Sequence, residues 1–357
     1  GDRAEVAGCF FRPALLALLL SGLIIALQAP LADLAFGLVE PDPAVERNAR
    51  IYYEIRVLSA PASLLAYVVV GWFIALQDTR WVLAYGLLTN LLNLGFSLAF
   101  VLGLDWGIAG VAWGTVCAEV AAPLLLAPVV AWKLRCHGTR PGLARLLDGG
   151  RLLALVRVNA DLFLRTLALL LAFGLFTTLG ARQGAEVLAA NALLLHLQAL
   201  MAYALDAFAH AAETLTGAAW GRRDRRAFVG ALEAATLWAA IFAIGAAIAY
   251  ALAGPAILRL FTEHEEILRV AALYLPWMVV SPLVSVWSYM LDGVFIGATR
   301  SATMRNAMLL SLLIYLGAAW ALVPGAGNHG LWIAFLLFML ARAATLGAAL
   351  PALLRRL

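Results

Sequence analysis

LPWMVVSPLVSVWSYMLDGVFIGATRSATMRN, running from Leu275 to Asn306, decides the fold of this chain. It is apolar over more than the roughly 20 residues that a helix needs to cross a bilayer, yet it contains Pro276, Pro282 and a single carboxylate, Asp292. At 100° per residue, Ser281, Ser285, Ser288, Tyr289 and Asp292 fall on one side of a helix. A polar stripe on such a rod faces protein or water. Ionisable groups at membrane depth are costly and mark ion or substrate paths, which makes Asp292 a candidate coupling residue. The alternative is an Asp that caps the proline-broken segment or bonds to a neighbouring helix.

The rest of the chain fits that segment. Of its 357 residues 64% are hydrophobic and 13% charged, and mean hydropathy is +0.92. Soluble domains sit near half apolar and a quarter charged, so the composition is that of a polytopic membrane protein. The net charge of +4 does not indicate nucleic acid, because the basic residues collect in short loops between apolar spans. Cys9, Cys117 and Cys136 are too scattered for a disulfide framework or a metal motif.

Windows of about 20 apolar residues predict ten helices. They run over 13–37, 51–76, 81–103, 108–132, 152–179, 186–217, 227–252, 267–296, 302–323 and 330–354. Pro41 and Pro43, 78–80, 105–107, the basic stretch 133–151 and 324–327 punctuate them. No period of two is sustained, which excludes a membrane barrel. Of 25 Lys and Arg, 17 fall on one side of this arrangement; Arg47, Arg50, Arg182, Arg259 and Arg269 fall on the other, and Arg56, Arg165 and Arg342 within spans. The richer side belongs in the cytoplasm, with both ends of the chain inside.

An internal repeat divides the chain. SAPASLLAYVVVGWFIALQDTR around Pro61 matches VSPLVSVWSYMLDGVFIGATR around Pro282. The offsets are 221 for Pro61 and Pro282, 220 for Arg80 and Arg300, and 223 for Gly107 and Gly330. Both copies run the same way through the membrane, so the halves are related by an axis along the membrane normal. The expected domains are a four-helix lobe over 1–133, a basic cytoplasmic connection over 134–151 and a six-helix lobe over 152–357. A second copy starting near Leu152 would put the first start near position −69, so the parent fold has twelve helices, of which this chain carries ten.

Four segments resemble one family: IRVLSAPASL (Ile55 to Leu64), NADLFLRTLALLLAFGLFTTLGARQG (Asn159 to Gly184), NALLLHLQALMAYALDAFAHAAETLTGAAWG (Asn191 to Gly221) and LDGVFIGATRSATMRN (Leu291 to Asn306). They look like the DinF branch of the multidrug and toxic compound extrusion (MATE) transporters. The resemblance implies an all-α, two-lobe bundle that starts here at the family's third helix, with a central cavity. It implies export of small organic, often cationic or amphiphilic compounds, driven by inward H⁺ or Na⁺, from the inner membrane of a bacterium, with membrane lipid as surroundings and a monomer as the unit. Relatives carry a proton-coupling carboxylate on their first helix, for which this stretch has no matching position. They also place cation-binding carboxylates on helices that match Asp161 loosely and Asp292 better.

The residues offer further candidates. Asp206, His210 and Glu213, spaced by four and three, share one helical face. Shielded carboxylates and a histidine are groups that exchange protons near neutral pH; alternatively, Glu213 is wetted and pairs with the Arg222 to Arg226 cluster. Asp161 and Arg165 are i,i+4 partners and form either a neutral pair within one helix or, with Asn159, a cavity group in which Arg165 sets the ionisation of Asp161 or Asp292. Arg342 is placed to neutralise an acid of the second lobe. Asn191 and Tyr289 join His210, Asn159 and Arg165 as polar cavity candidates, as do Asn90 and Asn93, which with Ser97 could equally tie helices together. Glu119 is the one acid well inside its helix, and Gly107, Gly110 and Gly114 suit close helix contact. Trp72, Trp113, Trp238, Trp287, Trp320 and Trp332 read as interfacial or packing residues rather than an aromatic box.

A cation-coupled exporter working by alternating access is therefore expected, with H⁺ favoured over Na⁺ and no metal or organic cofactor. A flippase for lipid-linked oligosaccharide or lipid is the alternative. It requires several inward arginines for pyrophosphate, where the spans hold three against about eight acids. No HxxxD, HExxH or paired Cys supports a membrane enzyme.

Overall fold

The computed structural model describes residues 3–39, 43–137 and 146–357, and every regular element among them is helical. Pro41, and residues 138–145 of the expected basic connection with Arg140 and Arg145, lie outside the described residues. The chain divides into two compact units, Gly1–Leu155 and Val156–Leu357.

In the first unit, α1 (Arg3–Ala26) and α2 (Gln28–Val39) replace the single helix expected over 13–37. The break at Leu27 has a local cause: Pro30 has no N–H to give to the Ala26 carbonyl. α3 (Pro43–Val57) and α4 (Ala60–Ala75) replace the helix expected over 51–76 and bend by 55°. Pro61, in the first turn of α4, likewise cannot donate to Val57. α5 (Thr79–Leu98) widens into a π-helical turn over Ala99–Gly103 and returns through α6 (Gly107–His137). α1 starts earlier and α6 ends later than expected, so Arg12 and Lys133 lie inside helices, both buried. A Cβ on Gly114 would sit 2.5 Å from Ser97 Oγ, so close helix contact explains that glycine; Gly107 instead takes a φ of +54° with open space around it.

The second unit consists of α7 (Gly149–Ala181, entering it at Val156), α8 (Ala185–Arg222), α9 (Arg225–Arg259), α10 (Glu265–Gly297) and α11 (Ser301–Leu354). α11 is two spans folded on each other. Gly327, at φ 55° and ψ −133°, leaves helical geometry, and a Cβ on Gly330 would lie 2.5 Å from the Leu322 carbonyl oxygen. Eight residues of straight helix would separate those positions by about 12 Å. Among the described residues, eight helices are long and apolar enough to cross a membrane, and the bent pair over 46–75 makes nine; with α11 counted as two arms there are ten. Trp332, wholly buried against Phe176 and Phe335, anchors the core near the fold-back. Phe228, Met290 and Phe295 belong to a second core nearer the other end.

Trp332 and Trp72 are packing residues, while Trp238, Trp287 and Trp320 are exposed on the helical surface.

Candidate functional site

The site grows from a backbone contact between α10 and α8. Gly293 and Gly297 are four residues apart in LDGVFIG, the small-xxx-small spacing that lets membrane helices touch. A Cβ on Gly293 would come within 2.8 Å of the Ala209 carbonyl carbon and nearer still to its oxygen; one on Gly297 would strike the Glu213 carbonyl. This contact turns the polar stripe of α10 into the protein. Ser281, Ser285 and Ser288 are fully buried and Asp292 nearly so. Ser281 donates to Gln198 Oε1 on α8 at 2.6 Å, and Ser288 donates to the Ser285 carbonyl at 2.8 Å. α10 stays helical through Pro276 and Pro282, so Asp292 does not cap a break.

Asp292 instead receives two guanidinium groups. Arg165 of α7 donates to Asp292 Oδ2, and Arg342 of α11 donates to the same oxygen at 2.6 Å. Of the two expected arrangements for Arg165, a pair with Asp161 within α7 or a contact to Asp292, the structure has the second: Arg165 reaches across to another helix. Arg342 is 2% exposed, and its guanidinium lies 5.7 Å from the Tyr289 ring centre and 5.6 Å from that of Phe338. Asp206 on α8 is within electrostatic range of Asp292, Arg165 and Arg342. Two acids and two arginines make a quartet of formal charge zero, the arrangement that low-dielectric surroundings demand. The buried Nε–H groups of Arg165 and Arg342 and the Gln198 amide have no acceptor among the described residues. Each unmade hydrogen bond of a buried donor costs about 1–3 kcal/mol.

The other candidates separate. His210 Nδ1 meets Glu213 Oε2 at 3.2 Å and is in electrostatic range of Asp206, so the expected face of α8 exists, with His210 exposed. The partner shown for Glu213 is His210 and not the Arg222 to Arg226 cluster. Asp161 lies apart from Asp292: it accepts from Arg305 and, at 2.8 Å, from Ser301, where α11 begins. Asn159 is an exposed residue of α7. Asn191 is 1% exposed and fully engaged, donating to Asn328 at 2.7 Å while accepting from Asn328 at 2.9 Å and from Trp332 at 3.0 Å. It clasps α8 to the fold-back of α11.

In the first unit Asn93 donates to Thr115 Oγ1 on α6 at 2.8 Å, and exposed Asn90 bonds its own helix at the Gly86 carbonyl. Glu119 holds a paired site: Arg56 donates to both its oxygens, at 2.9 and 3.0 Å, and Ser63 donates at 2.6 Å. Sequence reading named Arg56 and Glu119 separately and missed the pair, since 63 residues divide them. It also missed Gln198 and Arg305, although Arg305 stands in the ATRSATMRN run that marked the segment.

Comparison with known proteins agrees with this architecture. A family model described as MatE matches residues 1–99 and 162–320. DNA damage-inducible protein F of Escherichia coli (strain K12) is 39% identical over 347 residues, which are 96% of this chain and 74% of that protein. Protein DETOXIFICATION 43 of Arabidopsis thaliana is 25% identical over 86% of the chain and 57% of its own length. Among solved structures, the outward-facing conformation of a multidrug resistance MATE family transporter of the MOP superfamily superposes with a TM-score of 0.89 at 19% identity, covering 98% of this chain and 80% of that one. The matched share of the chain and the 39% identity suffice: this all-helical membrane protein belongs to the MATE family, whose members are transporters and not enzymes.

Proposed function

We propose that the chain is a secondary active, cation-coupled exporter of small organic, cationic or amphiphilic compounds, working as an antiporter by alternating access. H⁺ is the coupling ion favoured over Na⁺. The reading rests on one observation, the charge-balanced quartet of Asp206, Asp292, Arg165 and Arg342 in a single bundle. With both acids ionised the formal charge is zero. One proton on either leaves +1, which repels a cationic cargo and lets the pair of arginines reach for other acceptors; losing the proton restores the neutral state. Proton entry and cargo departure are thereby coupled through charge alone. Glu213 with His210, in electrostatic range of Asp206, serves as a relay, and Asp161 with Arg305 is a separate coupling carboxylate where α11 begins. The proton moves between water and carboxylate oxygens of Asp206 or Asp292, while Arg165 and Arg342 stay charged throughout.

The chain is read as an inner-membrane protein of a bacterium with both ends in the cytoplasm, acting as a monomer. The alternative, a flippase for an anionic lipid-linked sugar, is less well supported, because Arg56, Arg165 and Arg342, the three arginines that the sequence places within spans, are each committed to a carboxylate.

The test is uptake of a fluorescent organic cation by everted proteoliposomes under an imposed pH gradient. Asp206→Asn and Asp292→Asn should each lose gradient-driven transport, while counterflow of the same dye without a gradient persists in at least one of them. Unchanged proton-driven transport in both variants would remove the quartet from the mechanism. Transport that follows a sodium gradient alone would replace the ion.

A further inference from the structure

Eight arginines of the second unit gather at one end: Arg222, Arg223, Arg225 and Arg226 at the α8–α9 turn, Arg300 and Arg305 at the α10–α11 turn, Arg355 and Arg356 at the end of α11. Between the last two groups lies a pocket of about 110 Å³. Arg300, Thr303 and Arg356 supply its polar side, Phe295 and Leu353 its floor. Neither arginine has a carboxylate partner among the described residues; Arg300 lies 5.5 Å over the Trp220 ring. Asp161, the acid that reaches this end of α11, is already bonded to Ser301 and Arg305. The first turn of α11 opens at the same place without a side-chain cap, adding the positive end of a helix dipole. Two free guanidiniums, a hydroxyl and uncapped amides around an apolar floor describe a seat for a phosphate oxyanion attached to something greasy.

The greasy part has its own place. One turn deeper on the same two helices, a groove of about 580 Å³ opens, with Trp287, Met290 and Leu291 of α10 and Leu350 of α11 along its walls. Leu291 is one turn from Phe295 and Leu350 is three residues from Leu353, so pocket and groove are successive levels of one surface. From Trp287 to Gly297 the groove and pocket descend about 15 Å at 1.5 Å per residue, which is about half of a 30 Å hydrocarbon core and so one leaflet. Glu233, the acid on the α9 wall, sits eight residues past the start of α9, about 12 Å from it. It is at the depth of the tail and cannot receive a headgroup ammonium.

We propose that this surface binds an anionic glycerophospholipid, its phosphodiester held by Arg300, Arg356 and Thr303 and one acyl chain lying along the groove past Trp287. A free phosphate would leave the apolar floor and groove unfilled. Basic pockets between helices at the cytoplasmic face are the places where such headgroups are held. The site is separate from the quartet of Asp292 and would bind lipid whether or not the coupling scheme is right.

The experiment uses the purified chain in phosphatidylcholine vesicles, titrated with phosphatidylglycerol brominated on its acyl chains or with brominated phosphatidylcholine. Bromine quenches a nearby indole, and subtracting the signal of Trp287→Phe isolates Trp287 from the other tryptophans. Half-quenching of Trp287 should need far less phosphatidylglycerol than phosphatidylcholine. Each arginine near an anionic lipid is worth roughly fivefold, and both together about 25-fold. Arg356→Gln, an exposed position that spares the fold, should cut the preference about fivefold, and Arg300→Gln with Arg356→Gln should abolish it. Equal quenching by the two lipids, an undiminished preference in Arg356→Gln, or any preference that survives in the double variant would overturn the proposal. Millimolar inorganic phosphate, compared with chloride at equal ionic strength, should leave the preference intact; if it erases it, the pocket takes free anions and the lipid assignment fails.

Discussion

Replacing Gly293 by Ala tests the contact on which the whole site depends. The new Cβ would lie 2.8 Å from the Ala209 carbonyl carbon and closer to its oxygen, and both are backbone atoms of α8 that no rotamer change can move. Ordinary contact needs about 3.5 Å, so the two helices must separate by about 0.7 Å or more. Overpacking of this kind costs about 1–3 kcal/mol. At roughly 3 °C per kcal/mol for a domain of this size, the melting temperature should fall by about 3–9 °C. Gly245→Ala provides the opposite sign, since a Cβ there meets nothing within 4 Å in the interior of α9. It should raise stability by about 0.5–1 kcal/mol through loss of chain freedom in the unfolded state. The assay is thermal unfolding of the purified protein followed by tryptophan fluorescence, with dye transport alongside. The separation also shifts Asp292 relative to Asp206, so Gly293→Ala should impair transport where Gly245→Ala does not. Equal melting curves for the two variants would refute the reasoning, because they would mean that α10 does not rest on the backbone of α8 at Ala209.

Arg342→Met leaves Asp292 with one partner and should destabilise by about 3–5 kcal/mol, whereas adding Asp292→Asn should recover part of that loss, both read from denaturant midpoints. Arg50→Ala removes solvent-screened pairs to Glu46 and Asp33 and should leave the midpoint in the same assay nearly unchanged. Asp78, in the turn before α5, is held below the usual carboxylate range first by the Lys133 ammonium at 2.5 Å and then by the Arg80 guanidinium at 2.7 Å. Its contribution is therefore complete above its unfolded value, near about 3.9, and fades as pH falls toward the lower folded value; Asp78→Asn should flatten that acid limb of a stability-versus-pH curve and leave neutral pH behaviour unlike wild type by a constant. Asn191→Leu strands Asn328 and the Trp332 indole and should cost about 1–3 kcal/mol per group left unbonded, while adding Asn328→Leu should regain some of it in thermal unfolding.

The spans were legible because their signal is local: a run of apolar residues and a cluster of arginines can be read without knowing any neighbour. The breaks at Pro30 and Pro61 were written in the sequence as well, but each proline lies inside a continuous apolar window, so hydropathy smooths over it. The stripe on α10 was readable for the same reason, all five residues being within twelve positions. What was not readable was pairing across helices. Arg165 and Asp161 stand at i,i+4, which leaves an intrahelical pair and a contact to Asp292 equally open; tertiary packing turns Arg165 toward Asp292, 127 residues away, and gives Asp161 to Arg305. Asn191 looked like a cavity group because polarity alone does not distinguish a binding amide from a clasp; only the facing Asn328 and Trp332 do. Gly293 and Gly297 carried a visible small-xxx-small signal that was passed over beside the more conspicuous Asp292.

The 127 residues between Arg165 and Asp292 also set a problem for the growing chain. At roughly 5–20 residues per second, α10 emerges from the ribosome some 6–25 s after α7 has been made. An arginine at the centre of a lone membrane helix costs about 2.5–3.5 kcal/mol to insert. During that interval neither Asp292 nor the Arg305 that later takes Asp161 has been synthesised. Until α10 arrives, Asp161, one turn earlier on α7, is the carboxylate at i,i+4 reach of Arg165.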